Sequence, residues 1–176
     1  MSSPHFTSAW IPGATLTQLT QLVAEREHLG GAIIEFGAWE GRSTIAIAEG
    51  TEQDVIAVDH WQGNPGDHLT EPYAEREDIY ARFRKNTAHL PNIVPAVMPI
   101  EDFMASWSGP IKFLHIDADH NYEPVKAQIG WAKPLMIPGG IMCGDDFSTT
   151  WPGVVQAVTE TLPEHRVERV MWMQEF

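Results

Sequence analysis

Short apolar runs alternate along this chain with stretches of helical periodicity, and this alternation restricts its fold more than any other feature. Ile33-Ile34-Glu35-Phe36 and residues 55–58, 93–97, 111–116 and 141–143 are brief runs dominated by Ile, Val and other apolar residues, and they read as buried strands. Between them, residues 43–49, 73–89, 100–107 and 122–133 predict helices. Such an alternation implies a doubly wound, mostly parallel Rossmann-like α/β sheet with helices on both faces. Ahead of it, residues 15–29 carry Leu16, Leu19, Leu22, Val23 and Arg26 at helical spacing and stop at Gly30-Gly31. Residues 1–14, with Pro4, Pro12 and Gly13, read as an irregular arm. Residues 152–162 predict a last helix, with Pro152 suited to its first turn, and residues 166–175 predict one or two closing strands. No repeat or low-complexity tract interrupts the 176 residues, which are read as one domain.

The chemistry lies where the strands end, because the carboxyl ends of neighbouring parallel strands face one crevice. Asp117-Ala118-Asp119-His120-Asn121-Tyr122 follows one strand run, and Gly144-Asp145-Asp146-Phe147 follows the next. Carboxylates converging in a crevice repel one another unless a cation or a proton sits between them, so a hard divalent metal is expected. No Cys/His pair has the spacing of a zinc site. A third segment, Glu35-Phe36-Gly37-Ala38-Trp39-Glu40-Gly41-Arg42-Ser43, turns from strand to helix. Gly37 permits a tight turn, Gly41 permits close approach of a ligand, and Ser43 with the helix start offers hydrogen-bond donors. Trp39 stands where a dinucleotide fingerprint has its middle glycine, which weakens the case for a nicotinamide cofactor. Glu35 would repel phosphate but suit an ammonium or sulfonium group. Asp59, at the end of the second strand, is placed to accept hydrogen bonds from ribose hydroxyls.

On these residues the chain resembles the class I S-adenosylmethionine-dependent methyltransferases, whose first motif has the form acid-x-Gly-x-x-x-Gly-x-Ser. Within them it is similar to the compact metal-dependent O-methyltransferases of the macrocin type, and more distantly to the catechol and caffeoyl-CoA enzymes. The resemblance runs from about Gly30 to Trp151, carried most closely by Asp117 to Tyr122 and Pro138 to Phe147. It implies that Glu35, Gly37, Gly41 and Ser43 line the methionine and ribose side of S-adenosylmethionine, and that Asp59 holds the ribose diol. Trp61 and the segment Ile100-Glu101-Asp102 are implied for the adenine pocket. Asp117, Asp145 and Asp146 match the positions that bind Mg²⁺ in these families, and an all-oxygen set suits Mg²⁺ or Mn²⁺. Asp117 is thereby a catalytic residue as well as a ligand. His120 stands where the catechol-type enzymes have a lysine base. It can accept a hydroxyl proton, cap the following helix, or hold a metal-bound water. Asp119 is expected to shape the loop rather than to complete the ligand set.

The implied reaction is methyl transfer to a hydroxyl of a small molecule: a sugar, a natural-product precursor or a catechol. Three other readings stay open: a metal-independent methyltransferase of this fold, a nicotinamide-dependent oxidoreductase, and a non-catalytic Rossmann-fold binding protein. Eleven basic against 24 acidic residues give a net charge of −13, which argues against nucleic acid or anionic membranes as partners. A homo-oligomer is left open. The single cysteine, Cys143, lies in a strand run and forms no intrachain disulfide; with neither a signal peptide nor an apolar span in view, a cytoplasmic location is expected. His115 reads as a buried, hydrogen-bonded strand residue. His60 and His68 lie in a long loop that is either solvated or a lid. Trp131 and Trp172 are assigned to the core, whereas Trp10, Trp39, Trp61 and Trp151 fall around the crevice. Residues 71–78 form an acidic, solvated helix start.

Overall fold

A computed structural model describes residues 4–7, 10–64 and 70–176. Its strands are β1 (Ala32–Phe36), β2 (Val55–Asp59), β3 (Ile93–Val97), β4 (Ile111–Ile116), β5 (Met136–Gly144), β6 (Arg166–Glu168) and β7 (Met171–Glu175). They form one sheet in the order β3-β2-β1-β4-β5-β7-β6. Strands β1 to β5 pair in parallel, and β7 is antiparallel to both of its neighbours. The doubly wound Rossmann-like reading therefore holds. The chain winds outward from β1 through β2 to β3 and then crosses back to β4, so the strand order reverses between β1 and β4. A crevice opens above their carboxyl ends.

The period-two alternation of strand side chains builds the two core layers. Ile33, Phe113, Ile141 and Cys143 pack on one face with Leu19, Leu22 and Val23 of α1 (Gly13–Ala24) and Ile47 of α2 (Arg42–Ala48). Ile34, Phe36, Leu114, Ile116 and Met142 pack on the other. There they meet α5 (Ile100–Ser106), α6 (Tyr122–Ala132) and α7 (Pro152–Thr161). Full burial of one such side chain contributes about 1.5–3 kcal/mol, so the alternation fixes which residues can face the crevice. Trp172 is fully buried. Trp131 is half-buried; its ring lies 5.6 Å from Phe36 and its indole N–H donates to Met104 O at 3.0 Å.

Three elements depart from the sequence reading. The helix expected over 73–89 is two, α3 (Glu71–Ala74) and α4 (Ile79–Thr87). Asp78 is extended, and its side chain accepts the Ala81 N–H at 2.8 Å, starting α4 afresh. Helix α1 ends at Ala24, where Arg26 bends under the sheet to donate to Gly139 O at 3.1 Å and to Leu22 O at 2.9 Å. Strand β5 begins at Met136, ahead of the expected 141. Its register against β4 slips between Ile111↔Met136 and Phe113↔Ile141, making Pro138-Gly139-Gly140 a bulge rather than a preceding loop.

Candidate active site

The turn after β1 is closed by its neighbours. A Cβ on Gly37 (φ 87°) would lie 2.0 Å from Asp117 O, so glycine is what lets the ends of β1 and β4 touch. Asp117 N–H then donates to Phe36 O at 2.9 Å. Trp39 and Trp61 both adopt left-handed backbone, with φ of 45° and 57°. Asp59 holds them: its Oδ2 accepts from Trp39 N at 2.9 Å and its Oδ1 from Trp61 N at 2.7 Å. Burial raises the pKa of this carboxyl against those two hydrogen bonds.

Above these turns lies a cavity of about 500 Å³. Gly37, Ser43, Asp59 and Glu101 line it at one side, and Asp117, His120, Asp145 and Asp146 at the other. Three residues expected at the cofactor do not reach it. Glu35 is fully buried. It accepts a hydrogen bond from Thr44 Oγ1, and His115 Nδ1 lies 3.2 Å from its other oxygen. Gly41 (φ 87°) faces α4, where a Cβ would meet Thr87 Cγ2 at 2.8 Å, so a helix and not a ligand requires its missing side chain. Trp61 is 5% exposed, and its ring packs on Tyr80 and Phe83 with the indole N–H donating to Trp39 O at 2.7 Å. These three lie behind the residues that line the cavity.

At the other side, Asp117, His120 and Asp146 bring one ligand atom each within 4.8 Å of one another. His120 Nε2 lies 2.8 Å from Asp146 Oδ2, and the imidazole stacks on Trp151 at 4.0 Å between centroids. Asp146 carries a left-handed φ of 66°, a conformation that Asp adopts more readily than most non-glycine residues. Asp145 is 8% exposed and lies outside that trio; its Oδ1 is buried with no hydrogen-bond partner among the described residues. Burial, reinforced by the charges of Asp145 and Asp146 and opposed by His115 and His120, pushes the Asp117 carboxyl up to about 7. Burial likewise raises Asp145. His115 is pulled down by burial but raised further by its hydrogen bond to Glu35 and by the surrounding carboxylates. An orphaned carboxylate oxygen beside a carboxyl that resists ionising is the pattern that a divalent cation relieves, so the residues present fit such an ion. Asp119 Oδ1 accepts from the backbone and side-chain nitrogens of Asn121, each at 2.8 Å, and so shapes the loop into α6.

The N-terminal arm is part of the site, which in its sequence only Trp10 signals. Phe6, Trp10 and Ile11 line the cavity, and the Trp10 and Trp39 rings lie 6.2 Å apart. Glu40, in the middle of the glycine turn, ties the arm down. Its carboxylate accepts from Thr7 N at 2.8 Å, Thr7 Oγ1 at 2.6 Å and Arg82 Nη1 at 2.8 Å. Asn86 exchanges two more hydrogen bonds with the His5 backbone, at 2.9 and 3.0 Å. Of the long loop after β2, His60, Gly63, Asn64 and Thr70 line the cavity. Asn64 Nδ2 donates across it to Ala118 O at 2.9 Å. His68 lies outside the described residues.

With this geometry in hand, comparison with known proteins defines the class. The family model described as a methyltransferase domain matches residues 34–147, well over half of the chain, which therefore belongs to that family. The resemblance to class I methyltransferases read from the sequence holds. Among solved structures, the O-methyltransferase NovP superposes with a TM-score of 0.74 at 19% identity, over 92% of this chain and 78% of its own. CalS11, a calicheamicin methyltransferase, gives 0.75 at 17% identity, over 93% and 79%. An O-methyltransferase from Bacillus cereus in complex with SAH gives 0.67 at 17% identity, over 93% and 80%. Among the described residues no helix is long and apolar enough to cross a membrane.

Proposed function

We propose that the protein transfers the methyl group of S-adenosylmethionine to a hydroxyl oxygen of a small molecule. The observation that carries this reading is the single cavity joining Asp59 and the glycine turn to the carboxylate and histidine cluster. It offers a nucleoside and amino-acid end and an acceptor end within reach of each other. Structural relatives described as O-methyltransferases, one of them in complex with SAH, support the oxygen acceptor and the donor. Asp59 would take the ribose hydroxyls, and Ser43 and Gly37 would face the methionine part. Asp117 and Asp146, backed by Asp145, would hold Mg²⁺ or Mn²⁺, which when bound polarises the acceptor hydroxyl as a Lewis acid. The hydroxyl oxygen forms the new bond to carbon while the sulfonium sulfur keeps the electron pair of the bond that breaks. The hydroxyl proton passes to the His120 imidazole at Nδ1, since Nε2 carries the hydrogen that Asp146 Oδ2 accepts at 2.8 Å and Asp146 thereby orients the ring.

That same pair favours a second reading, in which His120 and Asp146 act as a base dyad with no metal. Calorimetric titration of S-adenosylmethionine and S-adenosylhomocysteine, with and without Mg²⁺, tests the donor first. Micromolar binding is expected, and no binding under any metal condition overturns the proposal. Turnover of hydroxylated acceptors then separates the two readings. Asp145→Ala and Asp146→Ala abolish metal-stimulated turnover but leave nucleoside affinity within about threefold if the cation is used, since a remote substitution adds nothing to that contact. Full activity of either variant in chelator removes the metal.

A further inference from the structure

One residue lining the cavity holds a buried polar atom with no hydrogen-bond partner among the described residues and has no part in the chemistry above. In α6, Val125, Ile129 and Ala132 enter the core with exposures of 2%, 0% and 0%, and Gln128 shares their stripe at 3%. Its Oε1 is buried and meets no donor among the described residues. Yet Gln128 lines the cavity, as does Pro124 one turn earlier. Ile100, Glu101 and Ala118 line the same cavity and add apolar surface and an acid to this amide. A buried amide oxygen left unpaired is unfavourable, and a ligand N–H supplies what is missing. Apolar surface beside a buried amide suits a flat heterocycle recognised at one edge. A glutamine amide presents an acceptor beside a donor, the pattern that matches the exocyclic amine and adjacent ring nitrogen of adenine.

We propose that Gln128 reads the adenine ring of the methyl donor at its exocyclic amine and makes the cavity selective for an adenine nucleoside. The assignment rests on the donor proposed above and adds a specificity residue to it. The test is calorimetry with S-adenosylhomocysteine and its 6-deamino counterpart, in which purine replaces adenine. Wild type is expected to prefer the amino compound by about tenfold or more, the usual scale of one buried hydrogen bond gained or lost. Gln128→Leu should bind both ligands alike, at the wild-type affinity for the deamino compound. Gln128→Glu still accepts a hydrogen bond and should keep a preference for the amine. Gln128→Met, unbranched and adaptable, replaces the leucine variant if that one fails to fold. An undiminished preference in Leu or Met variants of unchanged melting temperature overturns the assignment, as does a wild type indifferent to the amine. A wild type that binds neither nucleoside fails earlier, at the donor itself.

Discussion

Asp117 carries the tension of the site. Its carboxyl, pushed up to about 7 by burial and by Asp145 and Asp146, holds a proton in the folded protein that an unfolded aspartate loses near 3.8. Between those values the folded state binds more protons than the unfolded one, so stability of the metal-free protein falls as pH rises from about 4 towards 7. Asp145, also raised, adds to the same slope, whereas His115, raised above 6.5, adds a further loss only at higher pH. The melting temperature in chelator should therefore decline across pH 5 to 7, and Asp117→Asn should flatten the decline. Added Mn²⁺ should restore the loss at pH 8. Since the ion must displace the proton, its affinity should weaken towards tenfold per unit below pH 7. A wild type that gains stability from pH 5 to 7 would contradict the whole account of the cluster. The acids themselves were legible in the sequence, because strand runs ending in Asp announce a crevice. The partition among them was not. That Asp145 sits sealed while Asp146 turns to His120 follows from the positive φ of Asp146, which no spacing rule reveals.

Elements were legible where burial is one-sided and less so where the chain corrects itself. The strands of the sheet and α2, α5, α6 and α7 follow their apolar periods. The Asp78 cap and the Pro138-Gly139-Gly140 bulge are tertiary choices, since a capping carboxylate and a glycine pair read equally well as solvated helix or loop. Glu35, Gly41 and Trp61 show the same limit: a linear motif places a residue at a turn but does not say from which side its group leaves. Gln128 was findable in principle, because it repeats with Val125, Ile129 and Ala132 at helical spacing. The arm signalled itself only through Trp10, and its fastening to Glu40 and Asn86 has no periodicity to reveal it. Its fastening predicts how it acts: Glu40→Ala removes the acceptor shared by Thr7 and Arg82 and should free residues 4–7 from the turn. Dissociation of S-adenosylhomocysteine should then quicken by about tenfold or more, and Thr7→Ala, losing one hydroxyl bond, by only a few-fold. Stopped-flow release of the nucleoside measures both, and unchanged rates in a folded Glu40→Ala protein would make the arm a passive wall.

At the scale of the molecule, the sheet separates the work of its two ends. Everything assigned to chemistry hangs above the carboxyl ends of β1, β2, β4 and β5, while the opposite end is fastened by a buried cation. Lys112, near the start of β4, has no exposed side-chain surface, and its Nζ donates to Arg26 O and Leu29 O at 3.1 Å each, with Glu27 Oε2 at 4.0 Å. Burial lowers its pKa, and the nearby Glu27 charge opposes that. The two carbonyls belong to the turn after α1, so this lysine stitches the helix layer to the base of the sheet. Lys112→Ala leaves those carbonyls unpaired over a new void and should cost about 2–4 kcal/mol. For a chain of this length that is a melting temperature lower by roughly 5–15 °C. Affinity for S-adenosylhomocysteine, measured well below the new midpoint, should stay within about twofold, because sites this far apart with no shared partner act independently. A drop in affinity of tenfold with the fold intact would mean that the base of β4 sets the position of Asp117, and that the two ends of the sheet are one mechanical unit.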